Sequence, residues 1–399
     1  MSHWIELEAQ RYMPVAKRVP IVLVRGEGSR VWDDEGKSYL DLVGGWAVNT
    51  LGHCHPVIAD ALSEQAQSLI HTSNQFYTVP QLELADLLVT NSPFDRVFFS
   101  NSGVEANEGA VKLVRKYGQH HRDGAYTVIT TDHSFHGRSL AMLTATGKPA
   151  YKQDYGPLPA GFVNVPFNDL DAIKRATDKE TCAIMLEPVQ GEGGVNVADP
   201  AYLRGVRQWC DEQNLVLVFD EVQTGVGRLG KLWGFQISGV EPDVMTLAKG
   251  LGGGVPIGAI LSKEKFSVFT YGDHGSTFGG NPLACAVSLA VMRHVLKEDL
   301  PGHVTKVGGY FMDRLESLRA ERPYITDVRG HGLLIGVEFD GDIAGEVVAE
   351  SLKEGLLLNS PAANVVRFMP PLVLREEEVD EAIDIVSRVL DRVKAKTPA

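Results

Sequence analysis

Short apolar runs alternate with amphipathic stretches along most of the chain. Six runs read as strands: Arg96–Ser100 (RVFFS), Thr127–Thr131 (TVITT), 182–187 (CAIMLE), 215–219 (LVLVF), 244–248 (VMTLA) and 257–261 (IGAIL). Most of these runs are continuously apolar, the pattern of strands covered on both faces by helices. Helical spacing predicts helices over 56–67, Val79–Thr90, 105–118, 202–213 and Pro282–Lys297. This alternation predicts an α/β fold, a large domain built on a mostly parallel sheet. Past residue 298 the pattern changes to short strands near 325–329, 333–339 and 365–369 and an amphipathic helix from 376 to about 394, which predicts a smaller α+β domain. A hairpin in the first fifty residues (VLVRGEGSRVWDDEGKSYLDL) is expected to pack beside it. The expected plan is 1–50 packed on the small domain, 51–298 as the large domain and 299–399 as the small one.

Composition narrows the function classes. The chain has 399 residues, 44% hydrophobic and 22% charged, which excludes collagen-like, disordered and coiled-coil proteins. A net charge of −13 argues against nucleic acid and anionic membrane as partners, so cations that attract an anionic substrate must be local. No stretch approaches the roughly 20 apolar residues of a membrane span. Four widely spaced cysteines make no disulfide framework, and the opening MSHWIELEAQRYMP lacks the basic-then-apolar pattern of a secretory signal. A cytoplasmic location is expected.

Ligand sites in open α/β sheets lie at the carboxyl ends of strands, so the residues that follow each run carry the candidate chemistry. After FFS comes Asn101-Ser102-Gly103-Val104 and a helix, a turn whose free N–H groups suit a phosphate or simply cap the helix. After TVITT comes Asp132-His133-Ser134-Phe135-His136-Gly137-Arg138. Phe135 offers a flat face for a ring and Arg138 a fork for a carboxylate, unless the pair is a core aromatic beside a surface arginine. LVLVF ends in Asp220-Glu221-Val222-Gln223, and VMTLA in Lys249. An acid and a lysine at neighbouring strand ends either pair with each other or share a pocket. A desolvated lysine has a lowered pKa and can form a Schiff base. Together an amine, an acid, a phosphate cradle and a flat face meet the needs of pyridoxal 5'-phosphate.

GHCHP (52–56), NSGVEANEGAVKLVR (101–115), SFHGRS (134–139), EPVQGEGG (187–194), FDEVQTGVGRLG (219–230), TLAKGLGGG (246–254) and STFGGNPLA (276–284) resemble, in order and over most of the chain, the class III (ornithine-type) aminotransferases. The resemblance implies the fold type I pyridoxal-phosphate architecture, with a mostly parallel seven-stranded sheet in the large domain. It implies Lys249 as the covalent anchor and proton carrier, Asp220 as partner of the ring nitrogen, Gln223 at the phenolic oxygen and Phe135 on the ring face. Ser102, Gly103 and Val104 would hold the phosphate, Val104 standing where the family usually has Thr or Ala. Glu221 and Val222 join Asp220 among the expected cofactor contacts. Thr277 would reach the phosphate and Ser276 the substrate of a neighbouring subunit, which implies a homodimer with shared sites. Arg138 and Arg367 would clamp carboxylates, with Glu192 gating Arg367; for Arg367 the alternative is a plain ion pair between domains.

Within that family GGWAVNTLGH (44–53) and SNQFYT (73–78) resemble the branch that acts on N-acetylated ornithine. Gly45 stands where the ornithine branch has a tyrosine, and Tyr77 is kept where γ-aminobutyrate enzymes tend to be aliphatic. The resemblance thus implies transfer of the δ-amino group of N2-acetyl-L-ornithine to 2-oxoglutarate in arginine biosynthesis. Ornithine, γ-aminobutyrate and carrier-linked lysine intermediates are the alternative donors. His53-Cys54-His55 looks like a metal cluster but falls in the family's GHxHP loop, and no metal is expected.

Overall fold

The computed structural model describes residues 3–396. Its centre is a seven-stranded sheet in the order Arg96–Ser100, Gly258–Ser262, Val244–Leu247, Val216–Asp220, Thr181–Leu186, Thr127–Thr131, Phe162–Val165. The four pairings from Val244–Leu247 to Phe162–Val165 are parallel, and Gly258–Ser262 runs antiparallel to both its neighbours. The strands from Thr127–Thr131 to Gly258–Ser262 are buried at every position, as continuous apolar runs demand. The seventh, Phe162–Val165, is absent from the strands read off the sequence. It is a short edge strand whose FVNV keeps two positions only half-buried and one exposed, too brief for a periodic signal.

The helix Gly103–His121 lies close on this sheet because its inward face is small. A side chain at Gly109 would stand 2.3 Å from Ile260, and one at Gly118 would stand 2.0 Å from the Ala125 carbonyl oxygen. That approach brings the start of the helix to the carboxyl ends of the central strands.

A second sheet, antiparallel throughout, orders Ile325–His331, Leu334–Phe339, Val365–Phe368 and Asn359–Ala362. The helices Leu300–Glu321 and Ala344–Lys353 pack on it, and Glu376–Lys396 packs against both of them. Leu300–Glu321 is a long helix that periodicity did not pick out. Pro301, Gly302, Gly308 and Gly309 lower its propensity, and Asp299 caps its start by accepting from the Gly302 N–H. The N-terminal strands Leu23–Glu27, Arg30–Asp33 and Ser38–Asp41 form a third sheet, to which Leu356–Leu357 adds in parallel on Ser38–Asp41. Both ends of the chain therefore share backbone hydrogen bonds. Among the described residues no helix is long and apolar enough to cross a membrane.

Candidate active site

A cavity of about 420 Å³ opens where the central strands end. At one edge stands the start of helix Gly103–His121. Ser102 caps it, its hydroxyl accepting from the Glu105 N–H at 3.3 Å. The first intrahelical bond is Ala106 N–H to Ser102 O, so the N–H groups of Gly103 and Val104 have no carbonyl within the helix. Both residues line the cavity, and with the helix dipole they form a cradle for an anion. Glycine is required at 103, where a Cβ would stand 2.7 Å from a Val222 methyl.

Asp220 ends its strand almost fully buried. One carboxylate oxygen accepts from Asn107 Nδ2 at 2.7 Å and from His136 Nδ1 at 2.8 Å, and the other from the Val222 N–H at 3.0 Å. The Thr246 hydroxyl donates to Asn107 Oδ1 at 2.7 Å, which fixes the amide's orientation. Burial works against a charged His136, but the Asp220 carboxylate outweighs it and holds the imidazole above its usual pKa. Glu187 also lines the cavity, accepts from the Phe135 N–H at 2.8 Å, and is pushed well above the ordinary carboxylate range by burial. The wall thus carries one carboxylate bonded by three donors and one, Glu187, that favours its proton.

Lys249 lies two residues past Val244–Leu247, in a left-handed conformation at φ +41° that is uncommon for a side chain of its size. Burial lowers the pKa of its amine, with Glu192 opposing and Arg367 adding to the effect. It does not pair with Asp220, whose ionic partner is His136. The two share the cavity instead. Phe135, Val222 and Gln223 line it as well. The Gln223 amide is buried with neither its oxygen nor its nitrogen partnered, a polar group waiting for a ligand. Arg138 is exposed at the cavity, its guanidinium 4.0 Å from the Tyr151 ring centre and 5.6 Å from that of Phe135.

Arg367 is fully buried behind Glu192. Its Nη1 donates to the Glu192 carboxylate at 2.7 Å, its Nε to Asn359 at 3.3 Å, and Nη2 has no partner. Burial disfavours the Glu192 charge, but Arg367 outweighs it and holds the carboxyl below its ordinary pKa.

Besides Arg367, which sits behind Glu192, four residues expected at the site do not line this cavity. Glu221 turns its side chain away from it: its carboxylate accepts the N–H groups of Gly234 and Phe235, capping a neighbouring turn. Tyr77, Ser276 and Thr277 belong to two loops that bond to each other, Asn74 Nδ2 donating to Ser276 O at 2.9 Å and Gly279 O at 3.0 Å. Tyr77 and Thr277 are exposed, and the Ser276 hydroxyl accepts from Asn101 at the cavity rim. In GHCHP, His53 bonds Asp41 at 2.8 Å and His55 caps the next helix. Asn107, His136 and Glu187 were not singled out from the sequence, although an amide on a helix face of alanine and glycine is itself a sign of a buried partner.

A depressed amine, a buried carboxylate bonded by three donors and facing the same cavity, and an anion cradle beside them make the donor set of a pyridoxal-phosphate enzyme. The sequence pattern of the Aminotransferase class-III family matches residues 12–390, and the chain belongs to that family. It is 52% identical to the acetylornithine aminotransferase of Caldanaerobacter subterraneus subsp. tengcongensis, over 98% of this chain and 100% of that one. It is 46% identical to the succinylornithine transaminase of Citrobacter koseri, over 96% of each. The crystal structure of the Toxoplasma gondii ornithine aminotransferase, with partial occupancy of pyridoxal phosphate at its active site, superposes with a TM-score of 0.95 at 33% identity, covering 98% of this chain and 94% of that one. Pyridoxal 5'-phosphate is the cofactor, and the unpartnered Gln223 amide and the glycine-lined cradle fit it.

Proposed function

We propose that this aminotransferase moves the δ-amino group of N2-acetyl-L-ornithine to 2-oxoglutarate, as in arginine biosynthesis. The observation that carries the reading is the ion pair of Glu192 with a fully buried Arg367 beside the cavity that holds Lys249. The cofactor supplies a carbonyl for the substrate amine and an electron-withdrawing ring. Lys249 Nζ would be the base that moves the proton off the amine-bearing carbon of the substrate. Asp220 would pair with the protonated ring nitrogen, and the Gly103 and Val104 N–H groups would hold the phosphate. Arg138 takes the carboxylate of the acetylated donor at the mouth, while Glu192 masks Arg367. Glutamate needs a second cation for its α-carboxylate, and Glu192 then swings off Arg367.

The absorbance of the bound cofactor, followed as each amino donor is added without acceptor, tests the donor. N-acetylornithine is expected to bleach the band at lower concentration than ornithine, succinylornithine or γ-aminobutyrate. Bleaching by only one of the others would overturn the donor assignment and keep the reaction class. Lys249→Ala should fold and show no turnover.

Tyr77, Ser276 and Thr277 are read as contributions to a partner subunit's site in a homodimer. The support is their shared face, where Leu69, Ile70, Phe76 and Phe278 are also exposed. An apolar patch of that kind on a single chain is the mark of an interface. Sedimentation at micromolar concentration should give twice the chain mass. We place the protein in the cytoplasm, consistent with four free cysteines of which three are buried. The three-part division at residues 50 and 298 is kept as the domain plan.

A further inference from the structure

Glu192 is carried on the tip of a hairpin. The strands Val189–Gln190 and Asn196–Val197 pair antiparallel, and residues 191–195 join them. On one side the hairpin is tied to the large sheet, Gln190 Nε2 donating to Thr131 Oγ1 at 3.0 Å and to Asp132 O at 2.9 Å. The Lys148 ammonium donates to the Glu192 carbonyl itself. The other side of the tip meets the small sheet. There Arg329 lies opposite Gly336, and Gly336 opposite Arg367. Directly opposed residues project from one face, so two guanidiniums flank a glycine.

The tip fills that gap. Val195 is fully buried against Gly336, where a Cβ would stand 3.0 Å from the Val195 Cβ. Arg329 Nη2 donates to Gly194 O at 2.8 Å, and Nε to Gly194 O at 3.1 Å and Val195 O at 3.2 Å. Its Nη1 donates to Asp327 at 2.9 Å and to Glu338. Val195 is a β-branched residue at φ +58°, a conformation that persists only when its surroundings impose it. One arginine of the row thus grips the backbone of the tip, and the other meets the carboxylate that the tip presents.

We propose that Arg329 is a positioning residue for the Glu192 gate. By clasping the carbonyls of Gly194 and Val195, it keeps the tip still, so that unmasking Arg367 is a rotation of one side chain and not a movement of the loop. The proposal rests on the gating role read above for Glu192. Without the clasp two carbonyls lose their donors and the strained tip relaxes. Glu192 then spends less time on Arg367, and the buried cation stands open to any α-carboxylate. Reaction with an ω-amine suffers, because an unmasked cation faces the incoming ammonium. Reaction with glutamate does not.

The test compares Arg329→Gln, Arg329→Lys and Gly336→Ala as holoenzymes, with each half-reaction followed by cofactor absorbance. In Arg329→Gln and Gly336→Ala the rate with N-acetylornithine relative to that with glutamate should fall about tenfold. Arg329→Lys, which can still reach one carbonyl, should recover part of the loss. Calorimetric titration with glutarate, an unreactive dicarboxylate, should show tighter binding by roughly threefold in the first two variants. Equal losses in both half-reactions, or an unchanged ratio with unchanged glutarate affinity, would overturn the proposal. Gly336→Ala keeps all charges and carries the test if Arg329→Gln does not fold. A wild-type enzyme that leaves N-acetylornithine unreacted would instead fail the donor assignment, and the glutarate titrations would still decide the role of Arg329.

Discussion

The Glu192 carboxylate meets the Arg367 guanidinium at 2.7 Å, joining a hairpin tied to the large sheet to a strand of the small one. The arginine has no exposed surface and the acid little, so each charge depends on the other. Glu192→Gln keeps the shape and removes the charge. Its stability should fall by roughly 3 kcal/mol, because Arg367 is left buried without a counter-charge. The half-reaction with the ω-amine should slow about tenfold while that with glutamate is kept, measured as separate single turnovers.

Asp220→Asn should cut turnover by roughly 10²–10³-fold, since a neutral amide no longer stabilises a charged ring nitrogen. The same change reaches His136. With the Asp220 charge gone, burial is opposed by Glu187 alone, and the imidazole pKa should fall from its raised value. Titration of the histidine resonance by NMR reads this shift without reference to activity.

Gly103→Ala should weaken cofactor binding about tenfold or more, as the added methyl must displace Val222 from the cradle. Equilibrium dialysis of the cofactor measures it. Thr277→Ala should weaken cofactor binding too, and in mixed dimers the loss should fall on the partner's site.

Glu221 supplies a pH signature away from the chemistry. Burial raises its carboxyl from 4.5 to about 7, against the pull of the Gly234 and Phe235 N–H groups. Between those values the folded protein holds a proton that the unfolded chain has lost. Its stabilising share is therefore complete below pH 4.5 and lost as the pH rises through 7, an amplitude on the order of 3 kcal/mol. Glu221→Gln mimics the protonated form, so its melting temperature should fall less than the wild type's over that window. A parallel pair of stability curves would show that Glu221 is ionised throughout.

The strands and the reactive residues after them were legible because their signals are local. A run such as LVLVF is buried on both faces wherever it lies, and Asp220 and Lys249 are conspicuous as charges directly after such runs. The cofactor chemistry follows from that pattern. Short or glycine-bearing elements such as Phe162–Val165 and Leu300–Glu321 were missed, since tertiary packing and not periodicity stabilises them. Between Asp220 and Val222, which line the cavity, only the fold shows that the Glu221 side chain leaves it. Likewise Asn107 and His136 converge on Asp220 from residues 113 and 84 positions away, which no local pattern records. What the chain order by itself determined is which residue types stand at strand ends. Which of them meet, which stay charged and which grip a loop from another sheet was decided by tertiary structure, because burial and distance, not sequence separation, set the energy of a charge.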